Sequence, residues 1–448
     1  MATALRHQPH TVKNDRKTIF GWCMYDWANS AYITTAVGLL PIFFAKSIVG
    51  DAGVVLFGRH FRADTLWGFT VGLAGAISFL FAPVLGAMAD FSSAKKKFLL
   101  FFAYTGSLFT IFFYFCHSGN VVGTMFFFLV TQVAFVNGNV FYDAFLPHIA
   151  SEDKMDDVSA KGYAYGYVGG GLQFAIALAL VSLHDKIGLS REHAARIGIA
   201  TSGVWWAAFT LFLARYLPEA DAAAELPQRY SRLPRAVGIS AVGVERTWKT
   251  ALRAVKFPHL ILFLLAFMLY NEGIQTVINM ASIYGTSELK LDASALMLTL
   301  LIIQFVAIGG SLAFSRLADK FGTRKAIVFA LVMWMGVVIY AYFLKTTVEY
   351  FVLGMIVGIA MGGAQSLSRS YYGSMIPEEA SAEFFGFYTV FTKFSAIWGP
   401  WTFALITHLA GSARIAILAL ITYFIAGTAL LLAVNETRAR AAKEAAIF

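Results

Sequence analysis

Apolar runs long enough to cross a bilayer alternate with short polar breaks along this chain. A helix needs about 20 predominantly apolar residues for that crossing. Six such windows fall at about 20–48, 66–89, 97–117, 121–146, 160–182 and 195–215. Six more follow a polar stretch, at 258–284, 294–315, 324–344, 349–372, 383–409 and 412–434. The pattern predicts an all-α polytopic membrane protein of twelve transmembrane helices. It divides the chain into a tail (1–19), a six-helix half (20–215), a central loop (216–257), a second six-helix half (258–434) and a closing tail (435–448).

The positions of the basic residues orient these spans. With the first tail inside, the inner segments carry 24 Lys and Arg and the outer loops 7. Positive charge collects on cytoplasmic loops, so both termini are expected in the cytoplasm. The central loop is the most basic segment. Within it Val244, Trp248, Leu252 and Val255 recur at spacings of three to four, with Arg246, Lys249, Arg253 and Lys256 between them. That stripe suits either a helix lying on an anionic leaflet or a solvated linker.

Composition narrows the class. Hydrophobic residues make up 58% and charged residues 14% of the 448 positions, whereas a soluble chain carries about 25% charged residues. A soluble enzyme, a disordered chain, a collagen and a coiled coil are excluded as descriptions of the whole. The net charge of +9 follows from the inner loops, and no nucleic-acid motif accompanies it, so no nucleic-acid partner is expected. Residues 1–18 are polar and basic and lead straight into the first span, without the form of a secretory signal. Cys23 and Cys116 make no disulfide framework, and the nine histidines make no metal set. HExxH, Walker and nucleophile-elbow motifs are lacking. The expectation is a protein without a cofactor and not an enzyme.

The halves repeat each other. GAMADFSSAKKK after span 2 aligns with SRLADKFGTRKA after span 8, pairing Asp90 with Asp319, and Lys95 and Lys96 with Arg324 and Lys325, at an offset of 229. NVFYDAFLP aligns with RSYYGSMIP, pairing Pro147 with Pro377 at an offset of 230. Such agreement marks two six-helix pseudo-repeats. This arrangement and the LADKFGTRK loop resemble the major facilitator superfamily. YDWANSAY (25–32), FYDAFLP (141–147), VSAKGYAYGYVGGG (158–171), GGAQSLSRS (362–370) and EFFGFYTVFTKFSAIWGP (383–400) resemble its vacuole-effluxer-like branch, also called the unknown-major-facilitator family. The resemblance implies the major-facilitator fold and secondary transport of a small solute by alternating access. Amino acids or similar zwitterions, exported with proton coupling, are the first expectation. A peptide, sugar or drug permease is the alternative within the fold. A membrane receptor or scaffold, or an integral membrane enzyme, is the alternative outside it. The expected partners are the bilayer, a small-molecule substrate and protons. The chain is expected to act as a monomer in a bacterial inner membrane, or alternatively a vacuolar membrane.

Charge inside a span costs about 2.5–3.5 kcal/mol on insertion scales, so each such residue needs a reason. Five stand out: Asp26, Asp143, Glu272, Arg369 and Lys393. Polar neighbours share their helix faces. Asn29 and Ser30 follow Asp26, Asn139 and Tyr142 precede Asp143, and Gln365 and Ser368 precede Arg369. Glu272, Gln275, Thr276 and Asn279 fall at i, i+3, i+4 and i+7. The resemblance implies that spans 1, 4, 7 and 10 line a central cavity, and four of the five charges lie on them. Glu272, Lys393, Asp26, Asn29, Gln275 and Asn279 are therefore candidates for substrate binding or coupling. Glu272 is the first choice for a coupling proton and Asp26 the second. Lys393 either binds a substrate carboxylate or holds Glu272 ionised. Asp143, Arg369, Gln365 and Asn139 are candidates for an inner gate in which Arg369 pairs with Asp26 or Asp143. The resemblance further implies a cytoplasmic latch at Asp90, Asp319, Arg324 and Lys325. Simple topology marking is the alternative for those loops. Gly162, Gly166, Gly169, Gly170 and Gly171 read as a packing face.

Overall fold

A spanning backbone must satisfy its own hydrogen bonds, because the bilayer core offers no water. The chain does so almost wholly with helices. The computed structural model describes residues 12–218, 226–254 and 257–444. Residues 1–11 and 445–448 of the two tails, 219–225 of the central loop, and Val255 and Lys256 of the expected stripe lie outside the described residues.

The chain runs through α1 (Arg16–Gly38), α2 (Leu40–Phe43), a π-helical turn (Phe44–Val49) and two short strands, β1 (Val54–Leu56) and β2 (Arg59–Phe61). Then come α3 (Ala63–Ser92), α4 (Lys95–Phe112), α5 (Val121–Ala144), α6 (Leu146–Ile149), α7 (Met155–Ser182) and α8 (Arg191–Tyr216). The central loop forms α9 (Arg235–Ala254). Beyond it lie α10 (Pro258–Glu288), α11 (Ala293–Phe321), α12 (Thr323–Phe343), α13 (Thr347–Met375), α14 (Ser381–Ala410), α15 (Ala413–Ala419), α16 (Ile421–Ala433) and α17 (Glu436–Glu444).

Among the described residues, ten helices are long and apolar enough to cross a membrane, and eleven if the bent α1–α2 pair counts as one span. The 30-residue α14 occupies the remaining window. The first span departs from the single rod expected. It bends by 45° after Gly38, where Pro41 opens α2 and cannot donate a backbone hydrogen bond to the preceding turn. The connection to α3 also departs from an all-α chain. It holds an antiparallel hairpin pairing Val54 with Phe61 and Leu56 with Arg59. Phe57 and Gly58 at its tip both take positive φ, 51° and 75°, as a two-residue hairpin turn requires.

The bundle is apolar outside and carries polar residues among the apolar ones within. Phe69, Leu80, Phe101, Leu211 and Trp401 are exposed, as suits contact with lipid, whereas Asn29, Thr35, Asn137, Gln173 and Ser366 are buried. α1 packs on α7 and α8, and α4 on α5 and α8. The second half repeats the plan, with α10 on α14 and α16, and α11 and α12 on α13. The halves meet where α3 packs on α14 and where α7 packs on α11 and α13. Glycine allows the first contact. A Cβ at Gly86 would strike the Ala382 carbonyl oxygen, and one at Gly386 would strike Pro83.

The described parts of both tails and the loops after α6 and α13 gather at one end of the bundle, the terminal face. Cross-half bonds close that face. The Asp90 carboxylate accepts the backbone N–H of Glu383 (2.8 Å) and of Ala382 (3.3 Å) and pairs with Lys95 at 2.8 Å. Lys95 also donates to Ser381 Oγ at 2.8 Å. Asp90 thereby stabilises the start of α14, where a helix favours negative charge. Its repeat partner behaves otherwise. Asp319 is exposed and makes no hydrogen bond or ion pair among the described residues. The start of α7 already carries Asp156 and Asp157. Asp156 makes the cross-half bonds instead, accepting from Thr323 Oγ1 at 2.6 Å and from the Ser370 hydroxyl. Arg324 turns into its own half, donating to Val434 O and lying 3.6 Å from Glu436. Lys325 is exposed. The two loops expected to act alike therefore do not.

The Gly86 contact makes a direct prediction. Gly86→Val overpacks the α3–α14 seam, a change that typically costs about 1–3 kcal/mol. A cysteine at Ser366, fully buried on α13, is then expected to react about tenfold faster with a water-soluble maleimide, the factor that about 1.4 kcal/mol supplies. An unchanged rate would show that the seam does not control access to that position.

Candidate functional site

The site is built around Arg369, two turns before the end of α13. Its side chain is 3% exposed. A guanidinium so buried needs counter-charge and a partner for each donor. Nη1 lies 3.1 Å from Asp143 Oδ1 and 3.4 Å from Asp26 Oδ2. Nε donates to Ser159 Oγ at 3.0 Å, and Nη2 to the Ser159 carbonyl at 2.8 Å. The rings of Tyr163, Trp22 and Tyr142 stand 4.2, 4.9 and 5.3 Å from its central carbon, within cation–π range. Every one of these partners comes from the first half.

The first half is shaped to admit the guanidinium. Trp22 stacks on Tyr142 at 4.4 Å and donates from Nε1 to the Tyr142 carbonyl at 2.9 Å. The Tyr142 hydroxyl donates to Asp26 at 3.0 Å. On α7, a Cβ at Gly162 would meet Trp22, the Tyr142 hydroxyl and Arg369 Nη2 at 2.7, 2.8 and 2.9 Å. A Cβ at Gly166 would meet Ser30 and Asp26. The glycines of span 5 do form a packing face, and that face is also one wall of the site.

Asp26, Asp143 and Arg369 open on a polar cavity of about 210 Å³, also lined by Asn29, Asn139 and Gln365. Asn29 donates to Asn139 Oδ1 at 2.6 Å, and the Tyr167 hydroxyl donates to Gln365 at 3.0 Å. A second cavity of about 300 Å³ shares Ile33, Thr34, Tyr167, Gln304 and Gln365 with the first. It extends away from the terminal face toward Val37, Ile278 and Tyr284, and Gln275 lines it. Gln304 joins the halves where the cavities meet, donating to Thr34 Oγ1 at 2.8 Å.

Three expected site residues lie elsewhere. Glu272, 2% exposed, turns toward α14 and accepts the Gly399 backbone N–H. Lys393 has no hydrogen bond or ion pair among the described residues, so it does not hold Glu272 ionised. Neither residue lines either cavity. The stripe on α10 spans an arc of about 100° at 3.6 residues per turn, wide enough to straddle two surroundings. Gln275 at one edge reaches the cavity, Glu272 and Thr276 meet α14, and Asn279 is exposed. Trp22, Ser159, Tyr163, Tyr167 and Gln304 were not singled out from the sequence. Tyr163 and Tyr167 alternate with Gly162 and Gly166 on α7, and that interleaving is the signal that marks them.

The cluster sets two carboxylates against one guanidinium. With both carboxyls ionised it holds one negative charge in excess beside an open polar volume. It offers an anion seat and a cation seat within one cavity, and no nucleophile is paired with a base there.

Known proteins resemble this chain in sequence and fold. The sequence model described as "Vacuole effluxer Atg22 like" matches residues 14–444. The MFS-type transporter YxiO of Bacillus subtilis (strain 168) is 34% identical over 430 residues, covering 95% of this chain and 96% of its own. Autophagy-related protein 22-1 of Phaeosphaeria nodorum is 24% identical over 498 residues, covering 90% and 87%. Among solved structures, the MFS transporter FucP in its outward conformation superposes with a TM-score of 0.67 at 12% identity, over 94% of this chain and all of its own. The human organic anion transporter MFSD10 does so with a TM-score of 0.65 at 15% identity, over 93% and 99%. The chain belongs to the vacuole effluxer Atg22-like family of major-facilitator transporters.

Proposed function

We propose that this protein exports a small zwitterionic solute, amino acids first, by proton-coupled alternating access, and that the Asp26–Arg369–Asp143 cluster is both its binding site and its inner gate. One observation carries the reading. Arg369 belongs to one half of the bundle, all its partners belong to the other, and a polar cavity adjoins them. A solute carboxylate competes for Arg369, and a solute ammonium or a proton answers the surplus negative charge. Either event weakens the bonds that hold the halves together at the terminal face. Alternating access needs such a reversible closure, since its two states differ by only a few kcal/mol.

Size supports a small solute. The polar cavity, at about 210 Å³, falls below the roughly 300–1,000 Å³ usual for drug-sized ligands. The site is complete within one chain, which supports a monomer. With the terminal face in the cytoplasm, this state is closed inward. The higher identity to the bacterial relative supports an inner membrane over a vacuole.

Uptake and counterflow of labelled amino acids in proteoliposomes test this directly. Asp26→Asn is expected to lose gradient-driven flux by at least about tenfold, the scale of a coupling energy near 1.4 kcal/mol, while keeping counterflow. Arg369→Lys is expected to lower both, because an ammonium cannot reproduce the fork that spans two carboxylates and Ser159. Absence of amino-acid flux in wild type would remove the substrate class. Glu272→Gln is expected to keep most gradient-driven flux, since its carboxylate faces α14; selective loss of coupling there would return the proton to Glu272. Arg369→Ala leaves two buried carboxylates uncompensated and should cost about 3–5 kcal/mol, read as a lowered melting temperature in detergent. Adding Asp26→Asn and Asp143→Asn should restore part of that loss. No restoration would mean that packing, not charge, is what Arg369 supplies.

A further inference from the structure

The central-loop helix α9 has two faces with different neighbours. On one, Val242, Gly243 and Thr250 are buried against the bundle. A Cβ at Gly243 would meet Met88 and the Val84 carbonyl of α3, so the two helices touch closely. Arg246 reaches across the seam to Glu383 of α14 at 3.5 Å, and the Glu383 side chain is wholly buried. The backbone N–H of Glu383 is the one Asp90 accepts. α9 therefore grips α3 and α14 together where the halves close.

The other face is apolar and uncovered. Val237, Val244, Trp248 and Leu252 are 51–68% exposed, and at 3.6 residues per turn they share an arc of about 80°. The contacts at Val84 and Met88 fall in the last two to three turns of α3, which ends at Ser92. With a rise of about 1.5 Å per residue, they lie about 6–12 Å from that helix end. The last turns of a spanning helix are where an interfacial helix lies, with its apolar face in the headgroup–acyl boundary. Tryptophan favours that boundary. The charge is complementary to an anionic leaflet, with Arg229, Arg232, Arg235, Lys249 and Arg253 in and just before α9 against Glu245. Glu245 is tied to Lys249 at 2.5 Å and to Arg229, and those hydrogen bonds hold its carboxyl down at about 2.

We propose that α9 is a lipid-reading clamp, seated by Val244, Trp248 and Leu252 in an anionic membrane surface, whose seating keeps Arg246 on Glu383 and stabilises the closed terminal face. A lipid surface supplies both the apolar layer and the negative charge that the helix presents. Lipid that withdraws either loosens α9, frees Arg246 and lets α3 part from α14.

The full chain tests this without any substrate, so the result is independent of the transport reading. Spin labels at Arg215→Cys and Glu379→Cys, exposed sites on opposite halves at the terminal face, report the separation of the halves. In vesicles containing about one-third phosphatidylglycerol, the long-distance population is expected to be at least about threefold smaller than in phosphatidylcholine alone, a modest population shift. Trp248→Glu should abolish that difference. Arg246→Gln should give the long distance in both vesicle types, and Arg246→Lys, which keeps the pair, should behave as wild type. Identical distributions in the two vesicle types overturn the proposal. A second label at Leu252→Cys reports the seat itself. Access to oxygen but not to a nickel chelate is expected in anionic vesicles. Nickel access in both vesicle types, or a short distance between two copies singly labelled there, overturns the proposal in favour of a solvated linker or a dimer contact.

Discussion

A guanidinium buried inside a membrane bundle must find its counter-charge in the fold, and this molecule is arranged around that requirement. Among the described residues, Arg369 has no anionic partner on its own half. Asp26, Asp143 and Ser159 supply the bonds from α1, α5 and α7, and three aromatic rings supply the walls. Removing one member of such a cluster is far costlier than the net worth of the intact set. The halves are thus drawn together by avoidance of a penalty, which a solute can relieve as well as a protein group can. Structure and proposed mechanism meet at this point.

The chain is duplicated but its closure is not symmetric. Asp90 stabilises the start of α14, while the matching Asp319 stands exposed. Thr323 and Asp156 take over the contact on that side. A seam fastened by two unlike devices can release them one after the other. The tails add weaker ties: Lys13 pairs with Glu378 and Lys443 with Glu152 across the same face, and partly exposed pairs of this kind are worth little singly.

Much of this was legible in the sequence. Helix positions follow from the length of the apolar runs, a signal set by bilayer thickness that tertiary packing cannot override. The clustering of Asp26, Asp143 and Arg369 followed from the cost of membrane charge together with the resemblance, which implied that their spans line one cavity. What the pattern could not resolve was azimuth. Glu272 lies within the same 100° arc as Gln275, yet one faces a neighbouring helix and the other the cavity. The difference depends on where α14 sits, which no local spacing encodes. The part of Trp22, Ser159 and Tyr163 was hidden for a related reason, since aromatic and small residues are ordinary in spans. The resemblance of the LADKFGTRK loop to that of the superfamily was also misleading, because its Asp319 makes no cross-half bond among the described residues.

The one-sided placement of Arg369 also has a consequence for synthesis. Asp143 precedes its partner by 226 positions. At about 5–20 residues per second, a ribosome needs about 10–45 s to cover that gap. Throughout that interval the newly inserted first half holds Asp26 and Asp143 with no cation to answer them. Water or bound protons must carry their charge until α13 arrives. The first half is therefore born as an incomplete membrane domain, and the insertion machinery or a hydrated groove has to shelter it until the second half docks.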